Sequence, residues 1–301
     1  MFGRNRITTW LAGATLLPAL GCTPSAVVKQ PASYTELLSA CKDKDGWRDP
    51  APPVRIHGSV FYVGTCGISA LLVTSPQGHA LIDSAEEEAV PQILANIRRL
   101  GFDPRDIRWL LASHVHYDHT GGHAAMQAAT GARIAALPDQ SRELQQGTPQ
   151  SDDPQQGVIK DIQPVRVDQV LQDGAPFSVG ANQLIAFSTP GHTRGSTSWV
   201  IRGCSQPTCP AVVYADSASA VSADGYRFTD HPQWVAMFRA GVARIGTLPC
   251  SILVTPHPAA SALFERFAGD PPLSDPAQCR RYAQTWLGKL DERLAKEGAG
   301  H

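Results

Sequence analysis

The sequence predicts an α/β fold of four layers, in which two packed β-sheets lie between outer helices (an αββα sandwich). Two separate runs of strand-like segments, punctuated by glycine and proline, indicate the two sheets. Segments with apolar residues at helical spacing lie around these runs and predict the outer layers. Histidines and aspartates stand at several strand ends, so we expect a functional site along one edge of the sheets.

The first run of strands follows a short helix predicted at Tyr34–Ala40. We expect these strands at residues 54–63, 69–74, 80–82, 107–112 and 132–137. Helices are predicted between them at residues 86–100, where apolar residues recur at helical spacing, and at 124–129. Residues 138–160 are polar and rich in Gln, Asp and Pro, which predicts an irregular, flexible segment overhanging a pocket.

The second run of strands is predicted at residues 165–171, 177–179, 183–188, 199–201, 212–214 and 251–254. An amphipathic helix is expected at residues 234–245, and two terminal helices at 260–267 and 276–296. We expect the chain to divide into residues 1–21, an N-terminal extension at 22–45, and one large domain at 46–301.

The composition is that of an ordinary globular protein. The 301 residues are 43% hydrophobic and 18% charged, with a formal net charge of −1. This balance offers no electrostatic basis for nucleic-acid binding.

The first 21 residues have the pattern of a signal peptide. Arg4 and Arg6 precede an apolar stretch, residues 7–20, that is too short to span a membrane. The stretch ends in Ala19-Leu20-Gly21-Cys22, which resembles a lipoprotein box. Lipidation at Cys22 and ordinary signal cleavage both remain open, and either predicts export to an oxidising compartment.

The cysteine count agrees with export. Seven cysteines are present, and without Cys22 the other six allow 15 disulfide pairings. Cys204 and Cys209 flank a four-residue turn between two strand-like runs, which predicts that they pair locally. The pairing of the other four cysteines is open at this point.

The stretch 113–122 concentrates metal-ligand chemistry at the end of the predicted strand 107–112. His114, His116, Asp118 and His119 fall within six positions. In extended backbone, residues two apart point the same way, so His114 and His116 are expected to face one point. Imidazole and carboxylate groups together suit zinc, and four such ligands favour a pair of metal ions.

This H-x-H-x-D-H pattern resembles the metallo-β-lactamase superfamily, and the resemblance extends over most of the chain after about residue 45. It implies the four-layer fold and two zinc ions. The implied ligands of the first zinc are His114, His116 and His192, and those of the second are Asp118, His119 and His257. The resemblance also implies disulfides between Cys41 and Cys66 and between Cys250 and Cys279.

Residues 216–219 bear on the branch of the superfamily. They contain no cysteine, the ligand that marks one group of zinc β-lactamases, and His116 replaces the glutamate of iron-using relatives. In glyoxalase-type and lactonase-type hydrolases an aspartate in the region of Asp216 bridges both metals. The serines after Asp216 and the segment 255–258 instead resemble subclass B3 β-lactamases. That resemblance implies that Asp216 stays off the metals and that Ser217 and Ser219 lie near the substrate carboxylate.

The function implied by this resemblance is hydrolysis of the β-lactam amide bond of penicillins, cephalosporins and carbapenems. The attacking group would be a metal-bound hydroxide that Asp118 orients, and the enzyme is expected to be a periplasmic monomer. Two alternatives remain from the sequence. One is another exported dinuclear zinc hydrolase of lactones or thioesters, and the other is a non-catalytic metal-binding lipoprotein.

Overall fold

The computed structural model describes residues 1, 3, 30–202 and 210–299. The rest of the predicted signal peptide, Cys22 and the predicted Cys204–Cys209 pair lie outside the described residues. Among the helices of the described part, none is both long and apolar enough to cross a membrane.

The first sheet has seven strands in sequential order. The strands are β1 (Val54–His57), β2 (Val60–Tyr62), β3 (Leu71–Val73), β4 (His79–Ile82), β5 (Ile107–Leu111), β6 (Arg133–Ala136) and β7 (Gln169–Val170). Neighbours from β1 to β4 pair antiparallel, and those from β4 to β7 pair parallel.

The second sheet has five strands in the order β12-β11-β10-β9-β8. The strands are β8 (Pro176–Val179), β9 (Asn182–Ser188), β10 (Thr197–Arg202), β11 (Val212–Tyr214) and β12 (Ile252–Val254). The β11–β12 pair is parallel, and the others are antiparallel.

Eight α-helices connect or flank these strands in the described residues. They are α1 (Tyr34–Ala40), α2 (Val90–Arg99), α3 (Tyr117–Thr120), α4 (His123–Thr130), α5 (Pro138–Gln146), α6 (Pro232–Ile245), α7 (Leu263–Ala268) and α8 (Gln278–Ala299). Helix α1 starts with a capping box, because the Ser33 hydroxyl accepts the Glu36 N–H and the Glu36 carboxylate accepts the Ser33 N–H.

The alternation of side chains along the strands produces the four layers. Between the sheets, a buried cluster joins Ile82 and Leu111 of the first sheet to Trp199 of the second. On the outer face of the first sheet, Leu81 packs in a second cluster with α2, and a third cluster packs Leu253 of the second sheet with α6 and α8. The predicted αββα sandwich is therefore confirmed.

The prediction of one extended run at residues 54–63 is wrong in one respect, because these residues form a hairpin of two strands. Val54 pairs with Tyr62, and the chain reverses at Gly58, whose φ is +52°. The turn requires a left-handed residue, which glycine provides without a Cβ clash.

Residues 138–160 also differ from the expectation of an irregular segment, because the first nine form helix α5. Pro138 begins the helix and Gly147, with φ +78°, ends it, which are favourable residues for these two positions. The side chains it buries include Gln140, Ser141 and Glu143. Its inner face therefore lacks the apolar periodicity that would have revealed a helix.

Two disulfides lie within the described residues, and their pairings are those that the resemblance implied. Cys41 bonds to Cys66 and ties the end of α1 to the loop after β2. Cys250 bonds to Cys279 and ties the chain before β12 to the first turn of α8.

Candidate metal centre

Six side chains that the sequence singled out meet at one edge of the two sheets. His114, His116, Asp118 and His119 follow β5, whereas His192 lies in the β9–β10 connection and His257 follows β12. The chain stays extended as far as His116, with φ −117° and ψ 155°, and then turns into α3. This turn brings Asp118 and His119 beside the two preceding imidazoles.

The first cluster consists of His114, His116 and His192. One ring nitrogen from each lies within 4.8 Å of the others, and all three residues are buried. Burial lowers the pKa of His192 to about 3, and the neighbouring His114 and His116 rings add to this shift. Burial likewise holds the pKa of His114 well below its ordinary value. Both imidazoles are therefore neutral near pH 7, which is the form that coordinates a metal.

The second cluster consists of Asp118, His119 and His257. Asp118 Oδ2 lies 3.1 Å from His119 Nε2 and 3.2 Å from His257 Nε2, and the two ring nitrogens are 3.3 Å apart. Burial opposes ionisation of Asp118, but the adjacent His119 and His257 outweigh it and hold the pKa of this carboxyl well below its ordinary value.

The donor set and its hydrogen bonding fit metal ions. The buried His114 Nε2 has no hydrogen-bond partner, although its ring lies among other imidazoles. In the second cluster, three atoms that can each offer a lone pair converge on one point. Nitrogen and carboxylate oxygen ligands in groups of three are typical of zinc sites that retain an open position for catalysis.

Hydrogen bonds behind the cluster orient two of the histidines. Asp216 Oδ1 lies 2.7 Å from His114 Nδ1, and the Ser219 carbonyl oxygen lies 3.0 Å from His192 Nδ1. Each contact occupies Nδ1 and leaves Nε2 as the nitrogen available to a metal. The carboxylate of Asp216 thus contacts the Nδ1 side of His114, on the opposite side of the ring from the free Nε2.

The two predicted substrate-binding serines lie next to the cluster. Ser217 is buried, Ser219 is half-buried, and both line a cavity that His257 also borders. The Ser219 hydroxyl lies 3.3 Å from His192 Nδ1, so Ser219 contacts the metal centre as well as the cavity.

Sequence reasoning assigned no role to Asp153, which approaches the cluster from the loop after α5. Asp153 Oδ2 lies 3.3 Å from His116 Nε2. Gln155, from the same loop, has its Nε2 3.5 Å from His116 Nδ1 and 3.4 Å from His192 Nε2. Its neighbour Gln156 is exposed. No periodicity or motif in this polar segment distinguishes these residues, because only the loop path determines which side chains turn inward.

Asp83, at the end of β4, was also missed. Its carboxylate accepts hydrogen bonds of 2.7 Å from the Ser113 N–H and 2.7 Å from the Ser113 hydroxyl, and one of 2.6 Å from the Tyr214 hydroxyl. It therefore fixes the start of the stretch 113–122 against the second sheet. An acidic residue immediately after a buried strand was the available indication.

A family model described as the metallo-β-lactamase superfamily matches residues 63–204. A probable metallo-hydrolase of Burkholderia pseudomallei is 30% identical over 158 residues, which are 47% of this chain and 50% of that protein. The chain thus spans about half the length of this curated relative.

Solved structures match over more of the chain. The metallo-β-lactamase MIM-1 of Novosphingobium pentaromativorans is 50% identical, with a TM-score of 0.85 and coverage of 88% of this chain and 99% of that one. The subclass B3 metallo-β-lactamase MEM-A1, from a soil metagenome library, is 36% identical, with a TM-score of 0.79 and coverage of 85% and 100%.

Proposed function

The chain belongs to the metallo-β-lactamase superfamily, and we propose that it is a zinc-dependent enzyme that opens the β-lactam ring of antibiotics by hydrolysis. The observation that carries the proposal is the 2.7 Å contact of Asp216 with His114 Nδ1. Asp216 Oδ1 thus faces the Nδ1 side of His114, away from the unpartnered Nε2, which supports an orienting role for this carboxylate rather than the metal-bridging role that the lactonase-type alternative requires. The similarity to subclass B3 enzymes over nearly their whole length supports the same choice.

We propose that two zinc ions occupy the site. His114, His116 and His192 would hold the first, and Asp118, His119 and His257 the second. Zinc, when bound, supplies Lewis-acid polarisation of the carbonyl and a nucleophile that is available near neutral pH.

The protein's own groups would position the reactants. Asp118 keeps a carboxylate in the second cluster, and in our proposal it accepts a hydrogen bond from the attacking water and aims it at the lactam carbonyl. Asp216 and the Ser219 carbonyl hold the rings of His114 and His192 in place. Ser217 and Ser219 donate hydrogen bonds to the carboxylate that β-lactam antibiotics carry beside the lactam nitrogen.

We further propose that the mature enzyme is a periplasmic monomer, with a signal peptide at residues 1–21 and a catalytic domain at 46–301. The two disulfides support export, because such bonds persist in oxidising compartments. A lipid anchor at Cys22 remains part of the proposal. Mass spectrometry of the mature N-terminus distinguishes acylated Cys22 from an ordinary cleavage product.

The first prediction tests the function with a coloured cephalosporin. We expect the purified protein to contain two equivalents of zinc and to hydrolyse the compound, because both clusters are complete. A chelator should abolish the hydrolysis, and added zinc should restore it. Full activity with one equivalent or less would contradict the two-metal site. A zinc-loaded protein that hydrolyses lactones but no β-lactam would contradict the proposed substrate.

A further inference from the structure

A cavity of about 700 Å³ opens beside the metal centre and extends along helix α8. Ser217, Ser219 and His257 belong to its lining, and so do Tyr282, whose hydroxyl donates to the Asp216 carbonyl beside Ser217 at 3.1 Å, and Trp286, one turn further along α8. The cavity therefore includes the proposed binding site for the substrate carboxylate and continues along α8 as far as Lys289.

The charges around this cavity have one sign. Arg266, Arg281 and Lys289 belong to its lining, and no aspartate or glutamate does among the residues that the structure describes. Like charges gathered in one concave surface reinforce one another's field, so the cavity attracts anions and repels cations.

Two of these three cations form no direct ion pair with a carboxylate within the described part of the chain. Arg266 is 3% exposed and donates to the Gln278 side chain at 2.6 Å and to the Leu253 carbonyl, which are both uncharged partners. Lys289 lies at the exposed rim, where its Nζ is 4.1 Å from the centre of the Trp286 ring. Neither forms an ion pair within the described part of the chain.

The third cation is partly neutralised. Arg281 forms an ion pair with Asp275, which lies outside the cavity lining. The cations without a direct ion pair are therefore the buried Arg266, whose charge Glu265 and Asp275 offset in part, and Lys289 at the rim.

We infer that this cavity is a specificity site for the substituent that a cephalosporin carries next to its carboxylate-bearing ring carbon, here called the variable arm. The cavity favours arms with a negative charge over arms with a positive charge. The inference rests on the proposed function. In a cephalosporin, the ring carbon that carries the carboxylate is bonded to the carbon that carries the variable arm. Binding of the carboxylate at Ser217 and Ser219 therefore directs the arm towards the cavity next to them.

The test compares two cephalosporins that share one acylamino side chain but differ in the variable arm. One arm ends in a carboxylate or sulfonate and the other in a quaternary ammonium group. We expect the zinc-loaded enzyme to have a higher kcat/KM for the anionic compound. This preference should fall as sodium chloride rises from about 0.02 to 0.5 M, because salt screens the field of exposed charges.

Lys289→Glu is the informative variant. We expect it to reduce the preference about three- to tenfold, the range for an exposed charge pair whose attraction becomes repulsion. The change should appear mainly in KM, because the arm lies away from the reacting bond. Lys289→Met removes the charge without reversing it and should give a smaller shift in the same direction.

Lys296→Glu is the matched control, because Lys296 is exposed on the same helix but does not line the cavity. It changes the net charge equally and should leave the preference unchanged. Equal effects of Lys289→Glu and Lys296→Glu, or no effect of either, would overturn the inference while hydrolysis itself upholds the proposed function. Absence of hydrolysis of both compounds by the zinc-loaded, folded protein would overturn the proposed function instead.

Discussion

The two ring nitrogens of His114 have different surroundings, and this difference bears most directly on the chemistry of the site. Nδ1 faces the Asp216 carboxylate at 2.7 Å, whereas the buried Nε2 has no partner. The contact fixes the orientation of the ring and leaves the lone pair of Nε2 available to coordinate a metal. Asp118 Oδ2, in contrast, lies 3.1 Å from His119 Nε2 and 3.2 Å from His257 Nε2. The two carboxylates therefore have separable roles.

Changing each of these aspartates to asparagine tests that separation. We expect Asp118→Asn to lose the second zinc, because a neutral amide is a poor substitute for a carboxylate ligand. Asp216→Asn should retain two equivalents, since its amide oxygen can still accept the His114 Nδ1–H hydrogen bond. Metal analysis of the dialysed variants measures both outcomes. Equal zinc loss in the two variants would favour a bridging Asp216 and the lactonase-type alternative.

At the scale of elements, helix α5 links the sheet to the loop that carries His192. Glu143, on its buried face, accepts the Gly195 N–H at 3.1 Å. A Cβ on Gly195 would meet Glu143 Oε2 at 2.1 Å and the backbone Cα of Gln140 at 2.8 Å, and because the backbone cannot rotate away, the close approach requires glycine. Burial raises the pKa of Glu143 to about 8 from its ordinary value of 4.5, and the Asp153 carboxylate contributes.

This raised pKa predicts a pH dependence of stability. The folded state holds the Glu143 proton more tightly than the unfolded state does. Protonation of Glu143 therefore makes its full contribution to the free energy of unfolding below about pH 4.5, and this contribution is lost as pH rises through about 8. Glu143→Gln keeps the hydrogen bond from Gly195 without the titration. Between about pH 6 and about pH 9, we expect the free energy of unfolding in urea to fall less in this variant than in the parent.

Glu292→Gln serves as the control for that experiment, because Glu292 is exposed on α8. It should retain the parent's pH dependence. An identical pH dependence in Glu143→Gln and the parent would show that the buried carboxyl does not titrate in this range.

At the scale of the whole molecule, the Cys41–Cys66 disulfide joins the N-terminal extension to the first sheet. The bond closes a sequence separation of 25 residues, and it restricts the unfolded chain more than the folded one. Replacing both cysteines by serine should lower the free energy of unfolding by about 3 kcal/mol.

Chemical denaturation measures this loss, and the zinc content provides the control. Because neither cysteine belongs to the metal clusters, the double variant should still bind zinc as the parent does. An unchanged free energy of unfolding would mean that the Cys41–Cys66 bond does not restrict the unfolded chain more than the folded one. Loss of zinc would mean that the bond also shapes the metal centre.

Local patterns in the sequence predicted the strands and most of the helices, and they singled out the candidate metal-binding groups. Apolar runs between turn residues located nearly all the strands, because a strand buried on both faces needs such a run wherever it packs. Four candidate ligands fall within His114–His119 itself, and extended geometry alone makes His114 and His116 face together.

Tertiary structure decided what those local patterns do not encode. Helix α5 buries polar side chains, so its hydrophobic pattern is weak. Its place in the fold depends on neighbours that only folding supplies, because Gln140 donates to the Ala112 carbonyl and Glu143 accepts the Gly195 N–H. Asp153 and Gln155 reach the metal centre only because the loop after α5 folds over it. The cavity lined by Arg266, Arg281 and Lys289 likewise exists only because folding brings α7 and α8 beside Ser217. Its positive electrostatic field therefore comes from segments that are far apart in the sequence.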